Sequence, residues 1–191
     1  SISEISKVVE IVRSNNCKFV LLHCVSSYPT NFKDANLATI SYLQKTFDVP
    51  IGFSDHTVGI DVSLAAVALG ATIIEKHFTD DNKRNGPDHY FSMNPNSWKE
   101  MIKRTRELED ALGYEKKIIE QNEQESVLVQ RRCIRLNKKL IKGSIISIKD
   151  LDYLRPAPKN SLSPADVKKI LNKKLKKEKQ KGSEINLSDV S

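Results

Sequence analysis

No stretch of this 191-residue sequence approaches ~18 consecutive apolar residues, so a membrane-spanning helix is not expected. The first residues, Ser1-Ile2-Ser3-Glu4-Ile5, also lack the charged-then-apolar layout of a secretory signal. Both absences predict a cytoplasmic protein with no membrane partner. Cysteine is scarce: Cys17, Cys24 and Cys133 are an odd number without metal-type spacing, which excludes a disulfide framework and predicts reduced thiols. Cys24, at the end of an apolar run, reads as packing, with metal coordination as the alternative. The lysine run Lys168, Lys169, Lys173, Lys174, Lys176, Lys177, Lys179 and Lys181 has no interleaved Arg or aromatic to fork onto phosphates or stack on bases. It reads as a solvated face rather than a nucleic-acid interface.

What is present is enough for a packed core, with 39% hydrophobic residues. The charge is split along the chain. Residues 128–191 carry 17 Lys and Arg against 6 Asp and Glu, a balance of +11, whereas residues 1–127 carry −4. That contrast marks two compositional units. In the first, apolar spacing predicts a helix over residues 3–13, a buried strand over 18–25 and a helix over 34–47. A strand before Ser54, a small-residue helix over 62–69 capped by Gly70, and a strand into His77 follow. A long amphipathic helix then carries Trp98, Met101, Ile102, Thr105, Leu108 and Leu112, with Asn94 or Asn96 as its cap. The order αβαβαβα predicts an α/β fold with a parallel sheet and right-handed crossovers.

After residue 112 the alternation stops. Residues 113–127 read as a polar linker. Beyond it, Lys142-Gly143-Ser144-x-Ile146-x-Ile148-x-Asp150-Leu151 recurs at an offset of 39 as Lys181-Gly182-Ser183-x-Ile185-x-Leu187-x-Asp189-Val190. A Lys-Gly turn, a short strand and an aspartate opening the next element therefore occur twice, predicting a small pseudo-symmetric β-rich domain over 128–191.

Two histidines occupy matching positions, each just past an apolar run: Ile51-Gly52-Phe53-Ser54-Asp55-His56 and Ala71-Thr72-Ile73-Ile74-Glu75-Lys76-His77. Side chains at the carboxyl ends of neighbouring parallel strands converge, and imidazole there is a common metal ligand. Metal ligation by His56 and His77 is the first reading; a hydrogen-bonded cap or core histidine is the alternative. Two ligands are too few for a closed structural zinc site, so an open, catalytic sphere fits better. His23, flanked by Leu22 and Cys24, reads as a packed or supporting histidine. Gly86-Pro87-Asp88-His89 presents a carboxylate and an imidazole from a loop, where Asp88 either recognises a hydroxyl or closes a turn. Ser26, Ser27 and Tyr28 offer hydroxyls at the same sheet end.

Four segments together resemble the N-acetylneuraminate (sialic acid) synthase family: His23 to Pro29, Gly52 to Gly59, Ala66 to Thr79 and Gly86 to His89. Arg131-Arg132, the Lys-Gly repeats and Arg155-Pro156 resemble the antifreeze-like (SAF) domain that ends these enzymes. The resemblance implies a TIM barrel followed by that domain. A whole barrel has eight strands and typically ~250 residues. Residues 1–112 then correspond to about strands six to eight, 113–127 to the linker and 128–191 to the SAF domain, with the amino-terminal half-barrel absent. The implied reaction condenses phosphoenolpyruvate with an N-acetylated amino sugar, adds water and releases phosphate, giving a nine-carbon 2-keto sugar acid. A divalent ion, Mn²⁺ or Mg²⁺, would polarise the aldehyde.

By the same resemblance His56 and His77 match catalytic metal ligands. Ser54 matches a residue near the phosphoenolpyruvate phosphate, Asp88 a sugar-hydroxyl contact, and Tyr28 with Ser26 the substrate-facing loop. Arg155 matches an arginine that reaches the partner subunit's barrel in a domain-exchanged homodimer. Where the family has a Gly-rich stretch after Arg155-Pro156, this chain reads Ala157 to Pro164, so N-acetylmannosamine and the precursors of legionaminic and pseudaminic acids all remain candidates. The alternative classes are a non-catalytic sugar- or anion-binding module built on the SAF domain, and a metal-dependent hydrolase or aldolase.

Overall fold

In the computed structural model, which describes residues 1–191, the chain divides into two units, Ser1–Glu115 and Lys116–Ser191. Helix α1 (Ile2–Ser14) opens the first, with Ser1 and Glu4 forming a capping box and Val9 buried. Strand β1 (Leu21–Cys24) leads through a 3₁₀ turn at Phe32–Asp34 to α2 (Ala38–Phe47), which buries Ile40, Leu43 and Phe47. The spacing of those three places them on one face. β2 (Ile51–Asp55), α3 (Asp61–Ala68), β3 (Ile74–Lys76) and α4 (Pro95–Leu112) complete the unit.

The three strands form a parallel sheet in the order β1-β2-β3, with Cys24 beside Ser54 and Asp55 beside Lys76. All five residues of β2 are buried because it lies between two strands. Side chains alternate across a sheet, so Leu21, Phe53 and Ile74 turn toward the helices, where they pack with Ile40, Leu43 and Phe47. The opposite face carries Leu22, Gly52, Ser54, Ile73 and Glu75. A Cβ added at Gly52 would stand 2.3 Å from Leu22 Cδ2 and 2.6 Å from the Ile73 carbonyl, so the neighbouring strands close over this residue. Only glycine fits there.

Two expected boundaries differ. The first strand begins at Leu21, not residue 18, because β2 starts only at Ile51 and offers no ladder to earlier residues. The second helix begins at Ala38, not residue 34, because Asn36 adopts a left-handed φ of 46° that ends the preceding turn. For α4, Asn94 is the cap: its side chain accepts the Asn96 and Ser97 amides, with Pro95 in the first turn. The polar stretch 113–127 holds more than a linker, since a 3₁₀ turn (Gln121–Glu123) lies within it and helix α5 (Gln124–Gln130) begins in it and runs three residues past its end.

The second unit pairs β4 (Cys133–Leu136) antiparallel with β5 (Leu151–Leu154) around a core of Ile134, Leu136, Ile146, Ile170, Leu175 and Ile185. The repeat is visible in the backbone. Gly143 and Gly182 both turn with φ near +85°, at 86° and 82°, and Asp150 and Asp189 both end buried in 3₁₀ turns. The short strands expected inside the repeats are reduced to single bridges, at Ile145 with Lys174 and at Arg135 with Glu184.

Candidate active site

The carboxyl ends of β2 and β3 hold His56 and His77 with ring centroids 5.2 Å apart, edge to face. Tyr28, on the loop after β1, tilts over both, 4.2 Å from the His56 ring and 5.6 Å from that of His77. Phe91 closes the far side, 5.2 Å from His77 and almost fully buried. The cluster joins three sequence-predicted residues with one that the sequence reading did not single out.

His56 is buried, and its Nδ1 lies 2.9 Å from the Val25 carbonyl. A carbonyl only accepts, so Nδ1 carries the proton and the lone pair of the neutral ring sits on Nε2. That is how a ligating imidazole is usually prepared. The His56 backbone is tied as well, its carbonyl accepting the Thr30 amide at 2.9 Å. Cys24 Sγ approaches His56 Nδ1 only to 4.0 Å, and Nδ1 is already engaged. His77 Nδ1 lies 3.8 Å from Asp88 Oδ2, too far for a hydrogen bond but close enough for attraction when the ring is charged. No three His, Cys, Asp or Glu side chains are arranged to hold a metal. The cluster offers two imidazoles and no third such donor.

Two residues before the two histidines, and so on the same sheet face, stand Ser54 and Glu75. The Ser54 hydroxyl donates to Glu75 Oε2 at 2.5 Å, so its proton is committed to that carboxylate. On the opposite face Asp55 and Lys76 form a buried ion pair of 2.8 Å. Burial pushes the Lys76 pKa down, and the Asp55 carboxylate beside it opposes that shift.

The loop from Thr79 to Asn94 is cross-braced. Asn82 Nδ2 donates to the carbonyls of His89 (2.8 Å) and Ser92 (2.7 Å), and Asn94 donates to Asn82 Oδ1 (2.8 Å). His89 is drawn into this bracing, its Nδ1 2.8 Å from Thr79 Oγ1, so the loop presents Asp88 rather than both side chains. Asp88 is half exposed. His23 is a packed histidine: it bonds the Ala35 carbonyl at 2.9 Å and stacks on Phe53. Ser26 is exposed beside Tyr28. Arg155 lies in the second unit, exposed just beyond β5, where the Pro156 carbonyl accepts from Arg135 at 2.9 Å. A groove of about 460 Å³ between α3 and α4, lined by Val67, Ile74, Trp98 and Met101 among others, contains none of these site residues.

The first unit is thus a parallel α/β sheet that gathers two histidines, an aromatic cover and the braced loop bearing Asp88 at its carboxyl end. The model of the NeuB family matches residues 1–117, and the chain belongs to that family. It is 42% identical over 156 residues to the N,N'-diacetyllegionaminic acid synthase of Legionella pneumophila, covering 82% of this chain and 43% of that protein. The solved N-acetylneuraminic acid synthetase of Leptospira borgpetersenii superposes with TM-score 0.62 at 43% identity, over 66% of this chain and 45% of that one. The spore coat polysaccharide biosynthesis protein spsE of Bacillus subtilis matches 100% of this chain and 58% of its own, with TM-score 0.57 and 28% identity. The chain spans about half the length of the curated relatives it matches.

Proposed function

We propose that this chain carries the carboxyl-terminal part of a sialic-acid-type synthase: about strands six to eight of a TIM barrel, followed by an SAF domain. The reaction joins C3 of phosphoenolpyruvate to the aldehyde carbon of an N-acetylated amino sugar. Water adds at the pyruvyl C2, phosphate leaves, and the product is a nine-carbon 2-keto sugar acid. The observation that carries this reading is the pairing of His56 and His77 at adjacent strand ends, with His56 Nδ1 engaged by Val25.

These residues suit one Mn²⁺ or Mg²⁺ ion held by the two imidazoles, with the remaining positions open. Such an ion supplies Lewis-acid polarisation of the aldehyde. The chain's own groups do the rest. Tyr28 and Phe91 wall the site with apolar ring faces, which lowers the local dielectric and strengthens every polar contact within it. Asp88 faces the His77 side and accepts from sugar hydroxyls; Ser54, once turned from Glu75, donates to a phosphate oxygen. Ser26 lies on the same substrate-facing loop as Tyr28. Arg155 completes the site of a partner subunit, its planar fork suited to paired sugar oxygens. The amino-terminal strands of the barrel come from sequence outside residues 1–191, and the amino sugar is N-acetylmannosamine or a legionaminic- or pseudaminic-type precursor.

Titration of the chain with Mn²⁺, followed by electron paramagnetic resonance, tests the reading. Binding that disappears in the His56→Ala/His77→Ala double variant supports it. Equal binding by that variant overturns the metal assignment.

A further inference from the structure

We propose that the buried Asp55–Lys76 pair is the positioning device for the two site histidines, a role that rests on the metal reading above only for its consequence in binding. Asp55 immediately precedes His56, Lys76 immediately precedes His77, and the two are register partners across β2 and β3. Their side chains are 0% and 1% exposed and lie 2.8 Å apart. Asp55 also accepts the Thr57 amide at 2.8 Å and the Ser63 hydroxyl of α3 at 2.6 Å. Lys76 in turn donates to the Thr57 carbonyl at 2.6 Å.

The pair thus grips residues 55 and 57, one on each side of His56, and ties both to the residue before His77. Beyond the paired strands each histidine's backbone is held through its carbonyl, which accepts the Thr30 amide at His56 (2.9 Å) and the Met93 amide at His77 (2.8 Å). The pairing of β2 with β3 ends at Asp55 and Lys76, so no β2–β3 ladder bond ties one histidine to the other. The ion pair locks that last register pair, and the Lys76 bond to the Thr57 carbonyl carries the link between the two strands past His56.

Stability does not account for the pair. Desolvating two charges offsets most of their attraction, and an apolar pair of similar volume is often as stable or more so. What an apolar pair cannot do is fix direction. Asp55 receives three donors from three elements of the chain, and this fixes the Asp55–Thr57 backbone. That backbone sets where the His56 ring leaves the chain, and so whether Nδ1 reaches Val25 and leaves Nε2 free. A misplacement of about 1 Å at such a site costs on the order of 100-fold in function.

The test uses the 191-residue chain. Long-range ¹⁵N–¹H spectra of the imidazoles report the tautomer of each ring, and the chain has only four histidines to assign. Asp55→Asn combined with Lys76→Met removes both charges without leaving one unpaired. Ser63→Ala leaves the ion pair and removes one donor, so it decides the matter if the paired variant does not fold. Ile40→Val, in the α2 core, controls for general destabilisation. The expected result is a His56 ring held as the Nδ1–H tautomer in the parent, shifting toward Nε2–H in the paired variant and partly so in Ser63→Ala, with Mn²⁺ affinity lower by about tenfold or more. Ile40→Val should change neither. Unchanged tautomer and affinity in the folded paired variant, or equal changes in Ile40→Val, would overturn the proposal. A pair-dependent tautomer in a parent that binds no Mn²⁺ would uphold the positioning role and sink the metal reading instead.

Discussion

Ser54 and Glu75 meet across β2 and β3 through a hydroxyl-to-carboxylate hydrogen bond of 2.5 Å on the face of the sheet that leads to the histidines. A bond to a charged acceptor is stronger than a neutral one, but Glu75 is exposed and water competes for it. Ser54→Ala should therefore cost about 1 kcal/mol. Glu75→Gln keeps an acceptor for the hydroxyl and should cost less than half as much. Urea unfolding of both variants checks the order, and a larger loss in Glu75→Gln would contradict it.

The cap of α4 is a second point where one side chain holds several groups. Asn94 accepts two amides of the helix and donates to Asn82, the residue that braces the loop carrying Asp88. Asn94→Ala should destabilise by about 1–2 kcal/mol, the upper end of the usual range for a lost cap, because the brace goes with it. Asn94→Asp retains the cap and loses the donor. Hydrogen exchange should then show normal protection at Ser97 and faster exchange at Ser92 and Met93.

How much of this was legible in the sequence depends on the kind of signal. The αβαβαβα order follows from periodicity alone, and the strand-end histidines follow from where apolar runs stop. Phe91 was hidden because it lies in a turn-rich loop with no period, and only the fold brings it against His77. The places of Glu75 and of the Asp55–Lys76 pair follow from alternation along β2 and β3. Residues two apart on a strand share a face, so Glu75 accompanies His77 and Ser54 accompanies His56. Charged residues between them must then point into the helix layer, where they have to pair. Helix α5 had too few turns for periodicity to mark it.

The repeated aspartates of the second unit make it acid-sensitive. The hydrogen bond from Lys138 holds the Asp150 carboxyl below its usual range, against an opposing push from burial and with help from Ser147. At Asp189 burial pushes up, but Lys179, the Asn186 amide and Lys177 outweigh it and the net shift is down. A depressed folded pKa means that the stabilisation is present above the unfolded value of about 3.9 and is lost as pH falls through the folded one. Amide protection of Ile134 and Ile185 should therefore hold from neutral pH to about 5 and decline below about 4. In Asp150→Asn/Asp189→Asn the decline should flatten, with lower protection at neutral pH. An unchanged acid profile in that variant would remove these carboxylates as its cause.

The two units should also differ in resistance to proteolysis. In the first, β1 and β3 each have one strand edge without a ladder partner, and Leu22 and Ile73 on the open face are 40% and 41% exposed. Open edges and uncovered apolar residues lower the cost of local opening. The second unit closes its repeats on each other, with Ile134, Ile146, Ile170 and Ile185 all fully buried. Limited proteolysis of the chain should cut first within residues 1–127 and leave a resistant carboxyl-terminal piece. The reverse order would show that the sheet needs no further strands.

The proposed exchange of Arg155 between subunits is testable by complementation in a synthase that joins residues 1–191 to the remaining barrel strands. A subunit with Arg155→Ala keeps an intact histidine pair, and a subunit with His56→Ala keeps an intact arginine. Each homodimer has every site defective, and each should retain little phosphate release from phosphoenolpyruvate and the amino sugar. In a heterodimer with exchanged arginines, one site joins the good histidine pair to the good arginine and the other combines both defects. Mixing should then restore up to about one half of the activity per heterodimer, because only one of two sites is repaired. If Arg155 instead served its own subunit, both sites of the heterodimer would remain defective and mixing would restore nothing.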